Sequence, residues 1–261
     1  MGRRTTVGAA DGLADGLADG LADGLADGRG WTAVGARLFD PGSVANMGTT
    51  QALVSDVPTP AGLARLHLLA AAEPRALLLL GHGAGGGVEA PDLATLTRAA
   101  VEAAITVGLV EQPYRVAGRR SPAPAARLDE AFITVSGAAR AEAAGTPLVV
   151  GGRSSGARVA CRTAVTIGAV GVVALAFPLH PPGRPDRSRL TELAEVAAAG
   201  IPCLVVQGQR DTFGSAAELA GQAPKGVRVL TAPGGDHSLR RGLDAGQVTR
   251  WLDDLLGRAE R

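Results

Sequence analysis

Short apolar runs alternate with longer mixed stretches from Gln51 to the C-terminus. Ala52–Val57 and Leu63–Ala70 predict two strands joined through a turn at Pro58-Thr59-Pro60-Ala61-Gly62. Arg75–Leu80 is a short apolar run that ends in Gly81-His82-Gly83-Ala84-Gly85-Gly86-Gly87, which suits a central strand buried on both faces. Pro91–Ala104 reads as a helix with proline near its first turn, followed by a strand at Ile105–Val110. Glu111-Gln112-Pro113-Tyr114-Arg115 and Arg119–Pro124 read as loop, and Ala125–Ala144 as a long helix. Leu148–Val150 is the next strand, with a helix over Ser155–Ile167. Val170–Phe177, Ile201–Gln207 and Val227–Thr231 are further strands, separated by helices at Ser188–Ala199 and Ser215–Gln222. The last helix, Asp244–Ala259, carries Val248, Trp251, Leu252, Leu255 and Leu256 on one face. This alternation predicts an α/β fold, with a mostly parallel central sheet covered by helices on both faces. Ligands in such sheets bind beyond the carboxyl ends of the strands.

Residues 1–48 break the pattern. Residues 11–26 are four copies of Asp-Gly-Leu-Ala. A glycine inside a helix costs about 1 kcal/mol relative to alanine, so this repeat is predicted to be a disordered leader ahead of one domain over residues 49–261. Met47 stands directly before the first folded-looking segment, which makes it an alternative start of translation. Arg3-Arg4 lacks the apolar stretch that a twin-arginine signal needs.

Composition narrows the partners. Apolar residues are 46 %, charged residues 20 % and the net charge is +1, which gives no electrostatic reason to expect nucleic acid or an acidic membrane. No apolar run is long enough to span a bilayer. Cys161 and Cys203 fall in a probable helix and a probable strand, and their spacing supports neither a disulfide framework nor zinc. They read as buried thiols of a cytoplasmic protein. No His/Asp/Glu spacing resembles a metal set, and the Gly81–Gly87 loop lacks a phosphate-binding signature, so neither metal nor cofactor is expected.

The candidate chemistry sits at the strand ends. Gly152-Arg153-Ser154-Ser155-Gly156 is a G-x-S-x-G pattern between a strand and a helix. There the serine occupies a sharp turn and its hydroxyl projects above the sheet. In a chain with 37 glycines that pattern alone is weak, so it matters that an acid and a base follow at later strand ends. Ser154 is the candidate nucleophile, His237 the base and Asp211 the acid that orients the base. Asp236 competes for the last role, but a residue adjacent to His237 points elsewhere. The backbone N–H groups of Ser155 and Ala84 are the candidate oxyanion donors. Arg115, Arg153, Arg158 and Arg210 lie in or near strand-end loops. Arg115 and Arg158, together with His180 in a Pro-rich loop, are the candidate substrate-binding residues. His82 and His67 read as structural.

Six motifs carry a resemblance. They are GHGAGG at Gly81–Gly86, QPYR at Gln112–Arg115, GGRSSGAR at Gly151–Arg158, FPLHPPG at Phe177–Gly183, QGQRDTF at Gln207–Phe213 and GGDHS at Gly234–Ser238. With the order Ser…Asp…His, the chain from about Gln51 onward resembles an alpha/beta hydrolase. More narrowly it is similar to the dienelactone-hydrolase-like branch, which includes the hydrolase-like domain of subunit three of the non-specific-lethal complex. That branch usually has a bulky residue and a second glycine where Ser155 and Ala157 stand here. The resemblance implies a serine hydrolase acting on a small-molecule acyl compound. Only His180–Gly200 is available for a lid, which implies a shallow site and a small carboxylic ester. Two alternatives stand beside it: a non-catalytic scaffold on the same fold, and another acyl-group enzyme such as a thioesterase, peptidase or acyltransferase.

Overall fold

The computed structural model describes residues 52–259; the predicted leader and the alternative start at Met47 lie outside the described residues. A hairpin opens the fold, β1 (Leu53–Thr59) pairing antiparallel with β2 (Gly62–Leu69). Then come β3 (Ala76–Gly81), α1 (Pro91–Glu102), β4 (Ile105–Glu111), α2 (Pro113–Val116) and α3 (Ala125–Glu142). The second half runs β5 (Leu148–Arg153), α4 (Ser155–Thr163), β6 (Gly171–Leu175), α5 (Leu190–Ala198), β7 (Cys203–Gly208), α6 (Ala216–Gln222), β8 (Val227–Ala232) and α7 (Ala245–Ala259). The strands form one sheet in the order β1-β2-β4-β3-β5-β6-β7-β8. Strands β3 to β8 are mutually parallel, and the hairpin joins antiparallel through β2 and β4.

The apolar runs of the inner strands are continuous because both faces are covered. Along β3, Leu77 and Leu79 pack with Phe132 and Val135 of α3 and Val159 of α4. Leu78 and Leu80 point the other way, into a cluster with Leu93 and Leu96 of α1 and Val248 and Leu252 of α7. The strand period of two thus divides the core into two apolar layers, one on each side of the sheet. Cys161 and Cys203 are free and buried in the first of these layers. Between β6 and β7 the chain carries only a loop and α5, with no inserted lid domain. No helix among the described residues is long and apolar enough to cross a membrane.

Three elements differ from the sequence reading. The QPYR stretch, expected as loop, contains the single turn α2, with Pro113 at its start. Four residues are too few to show a helical period. Strand β5 continues past Val150 through Gly151-Gly152 to Arg153, paired with β3 on one side and β6 on the other. Glycine has no side chain to mark a strand, so the hydrophobic pattern stops before the strand does. The helix after it ends at Thr163, one turn earlier than the predicted Ile167.

Candidate active site

The site is built at the carboxyl edge of the sheet, starting from the end of β5. Ser154 has φ 50° and ψ −112°, an unfavourable conformation for a residue with a side chain. Its amide is held by the Leu175 carbonyl of β6 at 2.9 Å. Two glycines make the turn possible. A Cβ on Gly156 would lie 2.1 Å from the Gly81 carbonyl oxygen, and one on Gly152 would lie 2.4 Å from the same atom. The β3 backbone therefore comes against the elbow as only glycine permits.

The loop after β8 brings His237 to this serine. His237 Nε2 lies 2.9 Å from Ser154 Oγ, and Nδ1 lies 2.8 Å from Asp211 Oδ2. The carboxylate accepts only, so Nδ1 carries the hydrogen and Nε2 is the acceptor for the serine hydroxyl. Asp211 is buried after β7, where its Oδ1 accepts from the Phe213 N–H at 2.8 Å and its Oδ2 from Gln207 Nε2 at 3.1 Å. The Phe213 ring stacks on the His237 ring, with centroids 4.1 Å apart. Asp236 faces away: its Oδ1 accepts from the amide and the hydroxyl of Ser238, which hold its carboxyl below the usual range. Ser154, His237 and Asp211, from three separate strand ends, thus form one hydrogen-bonded chain. Such a chain can withdraw the serine proton as the oxygen attacks and stabilise the imidazolium that results.

The Gly81–Gly87 loop lies beside the elbow. No backbone carbonyl takes the amide of Ala84 or of Ser155 among the described residues, so both N–H groups are available to an anion. Two contacts from the QPYR turn fix this loop. Tyr114 Oη donates to the Ala84 carbonyl at 2.9 Å, and the Gln112 N–H donates to His82 Nε2 at 3.1 Å. His82 Nδ1 in turn donates to the Gly83 carbonyl at 2.8 Å. That pair of bonds specifies one neutral tautomer, and burial pushes the His82 pKa down, in the same direction.

The four strand-end arginines separate. Arg153 donates from Nε to Asp92 and from Nη2 to the His237 carbonyl. Arg158 is engaged by both oxygens of Glu192, which ties α4 to α5. Arg210 donates to the Gly234 carbonyl. Arg115 is half-buried and makes no side-chain hydrogen bond or ion pair among the described residues. His180 is buried, with Nδ1 2.8 Å from the Pro181 carbonyl and Nε2 3.0 Å from Glu218. In this structure the side chains of Arg158 and His180 are thus engaged by Glu192 and Glu218. His67 meets Glu111 at 3.3 Å, as a structural residue would. A cleft of about 310 Å³ adjoins the serine turn, between Gly85–Gly87, Asp92 and Arg153 on one side and Ser238 and Arg240 on the other. Neither that cleft nor a groove of about 380 Å³ against α2 and the β1–β2 turn is lined by Ser154, His237 or Asp211.

Sequence reasoning missed four residues here: Gln207, Phe213, Asp92 and the bracing role of Tyr114. The first, second and fourth lie in motifs quoted above for their resemblance, but nothing in their spacing assigns them a contact. Among the described residues no group of His, Cys, Asp and Glu is placed to hold a metal.

The mostly parallel sheet, with helices on both faces and a serine in a strained strand-to-helix turn, agrees with the family and fold that the comparisons show. The family model described as alpha/beta hydrolase domain matches residues 74–253, and the chain belongs to that family. No curated protein matches it. Among solved structures it is similar to an α/β serine hydrolase without a lid from Xanthomonas campestris, at 16% identity and TM-score 0.61, covering 82% of this chain and 97% of that one. Est1E from Butyrivibrio proteoclasticus is similar at 15% identity and TM-score 0.65, covering 78% and 99%. A carboxyl esterase from Bacillus coagulans is similar at 12% identity and TM-score 0.60, covering 78% and 99%.

Proposed function

We propose that this alpha/beta hydrolase is a serine hydrolase that cleaves a small carboxylic ester through an acyl-enzyme on Ser154. The observation that carries the reading is the unbroken Ser154–His237–Asp211 chain, with separations of 2.9 and 2.8 Å. In the first half-reaction Ser154 Oγ attacks the ester carbonyl carbon while His237 Nε2 takes its proton. The amides of Ala84 and Ser155 receive the negative oxygen. His237 then protonates the departing alkoxide, and the alcohol leaves. A water repeats the sequence on the acyl-enzyme, releasing the acid and restoring Ser154. The lidless connection between β6 and β7 leaves the site open, which supports a small ester over a long lipid chain.

Arg115 refines the substrate class. It sits next to Tyr114, which pins the oxyanion loop, and its guanidinium has no carboxylate of its own among the described residues. An ester that carries an anionic group is the ligand that this charge fits.

Steady-state hydrolysis of short p-nitrophenyl esters by the wild type and Ser154→Ala tests the reading. Turnover that falls on the order of 10³-fold or more in the variant supports it. Equal rates in the two proteins, or none in either, contradict it. A change of Arg115→Glu that leaves the preference between anionic and neutral esters unaltered would remove the substrate role of Arg115.

A further inference from the structure

Arg153 links three parts of the site. Its backbone is covalently joined to Ser154, so its side chain leaves from the serine turn itself. Nε donates to Asp92 Oδ2 at 2.8 Å and Nη2 donates to the His237 carbonyl at 2.7 Å. Nη1 lies close against the Gly-rich loop, where a Cβ on Gly83 would lie 2.7 Å from it. These contacts connect segments 61 and 84 residues away in sequence. One planar side chain therefore touches the nucleophile turn, the base-bearing loop and the oxyanion loop.

Asp92 explains why the guanidinium keeps that pose. The Asp92 side chain is 0% exposed, in the first turn of α1, and the Arg153 side chain is 15% exposed. Burial raises the Asp92 pKa, while the charge of Arg153 opposes that rise. A buried carboxylate needs its cation, and a carboxylate on Nε fixes the plane of the fork. With that plane fixed, Nη2 has one direction left, toward His237. The loop from Pro233 to Leu243 is also held at Gly234 by Arg210 and Gln209, and at the Gly235 carbonyl by the Arg210 N–H at 2.9 Å. At His237 itself the main chain is held by Arg153.

We infer that Arg153, anchored by Asp92, is a positioning residue that holds the His237 loop and the Gly-rich loop in register with Ser154. The inference rests on the reading of Ser154 as nucleophile. It makes Arg153 act through His237 rather than on substrate. Its loss should then lower the rate of the chemical steps and leave substrate affinity nearly unchanged. A displacement of about 1 Å between reacting groups costs about 10²-fold in rate.

Two variants test this with short p-nitrophenyl esters. Arg153→Lys keeps a cation for Asp92, but one ammonium cannot reproduce both branches of the fork. Asp92→Asn with Arg153→Met removes both charges together, so no buried charge is left unpaired and the fold is spared that penalty. Both are expected to lower kcat roughly 10- to 100-fold, with KM within about threefold of wild type. Folded variants with kcat within about threefold of wild type overturn the inference, as does a loss confined to KM. A wild type that neither hydrolyses esters nor reacts with a fluorophosphonate overturns the hydrolase reading, and this inference with it. An active wild type with active variants overturns this inference alone.

Discussion

Asp211→Asn is the change whose consequence follows most directly from the geometry. Each carboxylate oxygen already accepts from a fixed donor: Oδ1 from the Phe213 N–H at 2.8 Å, and Oδ2 from Gln207 Nε2 at 3.1 Å. His237 Nδ1 donates into the same pair of oxygens, at 3.1 and 2.8 Å. Gln207 cannot turn to help, because its Nε2 is also surrounded by the carbonyls of Phe177 at 3.1 Å and Gly214 at 2.6 Å. An asparagine must place its NH₂ at one of the two oxygen positions. At Oδ1 it faces the Phe213 N–H, and at Oδ2 it faces the Gln207 amide. In the second orientation it also faces His237 Nδ1 and favours the tautomer with hydrogen on Nε2. That tautomer cannot take the serine proton. Wrong-tautomer losses of this kind are about 10⁴-fold in kcat, and each tenfold is about 1.4 kcal/mol, so the barrier should rise by about 4–5.5 kcal/mol. Removing the charge-assisted bonds should lower stability by only about 1.5–3 kcal/mol. The assay is kcat and KM on a short ester at pH 8, with thermal melting to verify folding and Asp236→Asn as control. A folded Asp211→Asn protein with kcat within tenfold of wild type would refute the assignment, as would a larger loss in the Asp236 variant.

Further consequences follow from single contacts. Gly156→Ala places a methyl 2.1 Å from the Gly81 carbonyl oxygen and should destabilise by about 1–3 kcal/mol or more, read as a fall in Tm; an unchanged Tm would mean that the elbow does not approach β3 as described. Tyr114→Phe removes one hydrogen bond to the Gly81–Gly87 loop while keeping the ring, so Tm should change little, at about 1 kcal/mol, while kcat falls several-fold; a change in KM alone would contradict the bracing role. His82 is held neutral, with its folded pKa below 6.5, whereas the unfolded chain takes up the proton at about 6.5. The unfolded state therefore binds more protons below that pH, so stability should decline as pH falls from about 6.5 toward the folded pKa. Denaturant unfolding across that interval should show a decline that is smaller in His82→Gln, and equal slopes would contradict it. Arg153→Met leaves Asp92 buried without its cation and raises its folded pKa further, so the Tm deficit of this variant should narrow as pH falls from 8 to 5. A deficit that widens would show that Asp92 is not the group concerned.

The sequence made the sheet legible because its inner strands are buried on both faces. Runs such as Leu77–Leu80 have no other physical use between glycines and helices. That Ser154, Asp211 and His237 meet was legible because each follows a strand end, and the parallel topology brings those ends together. The turn at Pro113–Val116 was not legible, since four residues carry no period. The continuation of β5 through Gly151-Gly152 was hidden by the very residues that allow the close approach to β3. Arginines proved the least readable. The spacing that put Arg158 near the site says nothing of Glu192, which comes from a helix 34 residues away and engages its guanidinium. Asp92 gave no signal either, because a carboxylate in the first turn of a helix is ordinary surface chemistry until its partner is known.

Everything proposed for the site depends on Ser154 being an activated nucleophile. Mass spectrometry of the protein after brief reaction with a fluorophosphonate tests it most directly. One adduct per chain, carried by the peptide containing Ser154 and absent from the folded His237→Ala variant, is the predicted result. Absence of an adduct on the folded wild type, or an adduct that persists in full on Ser154 without His237, would contradict it.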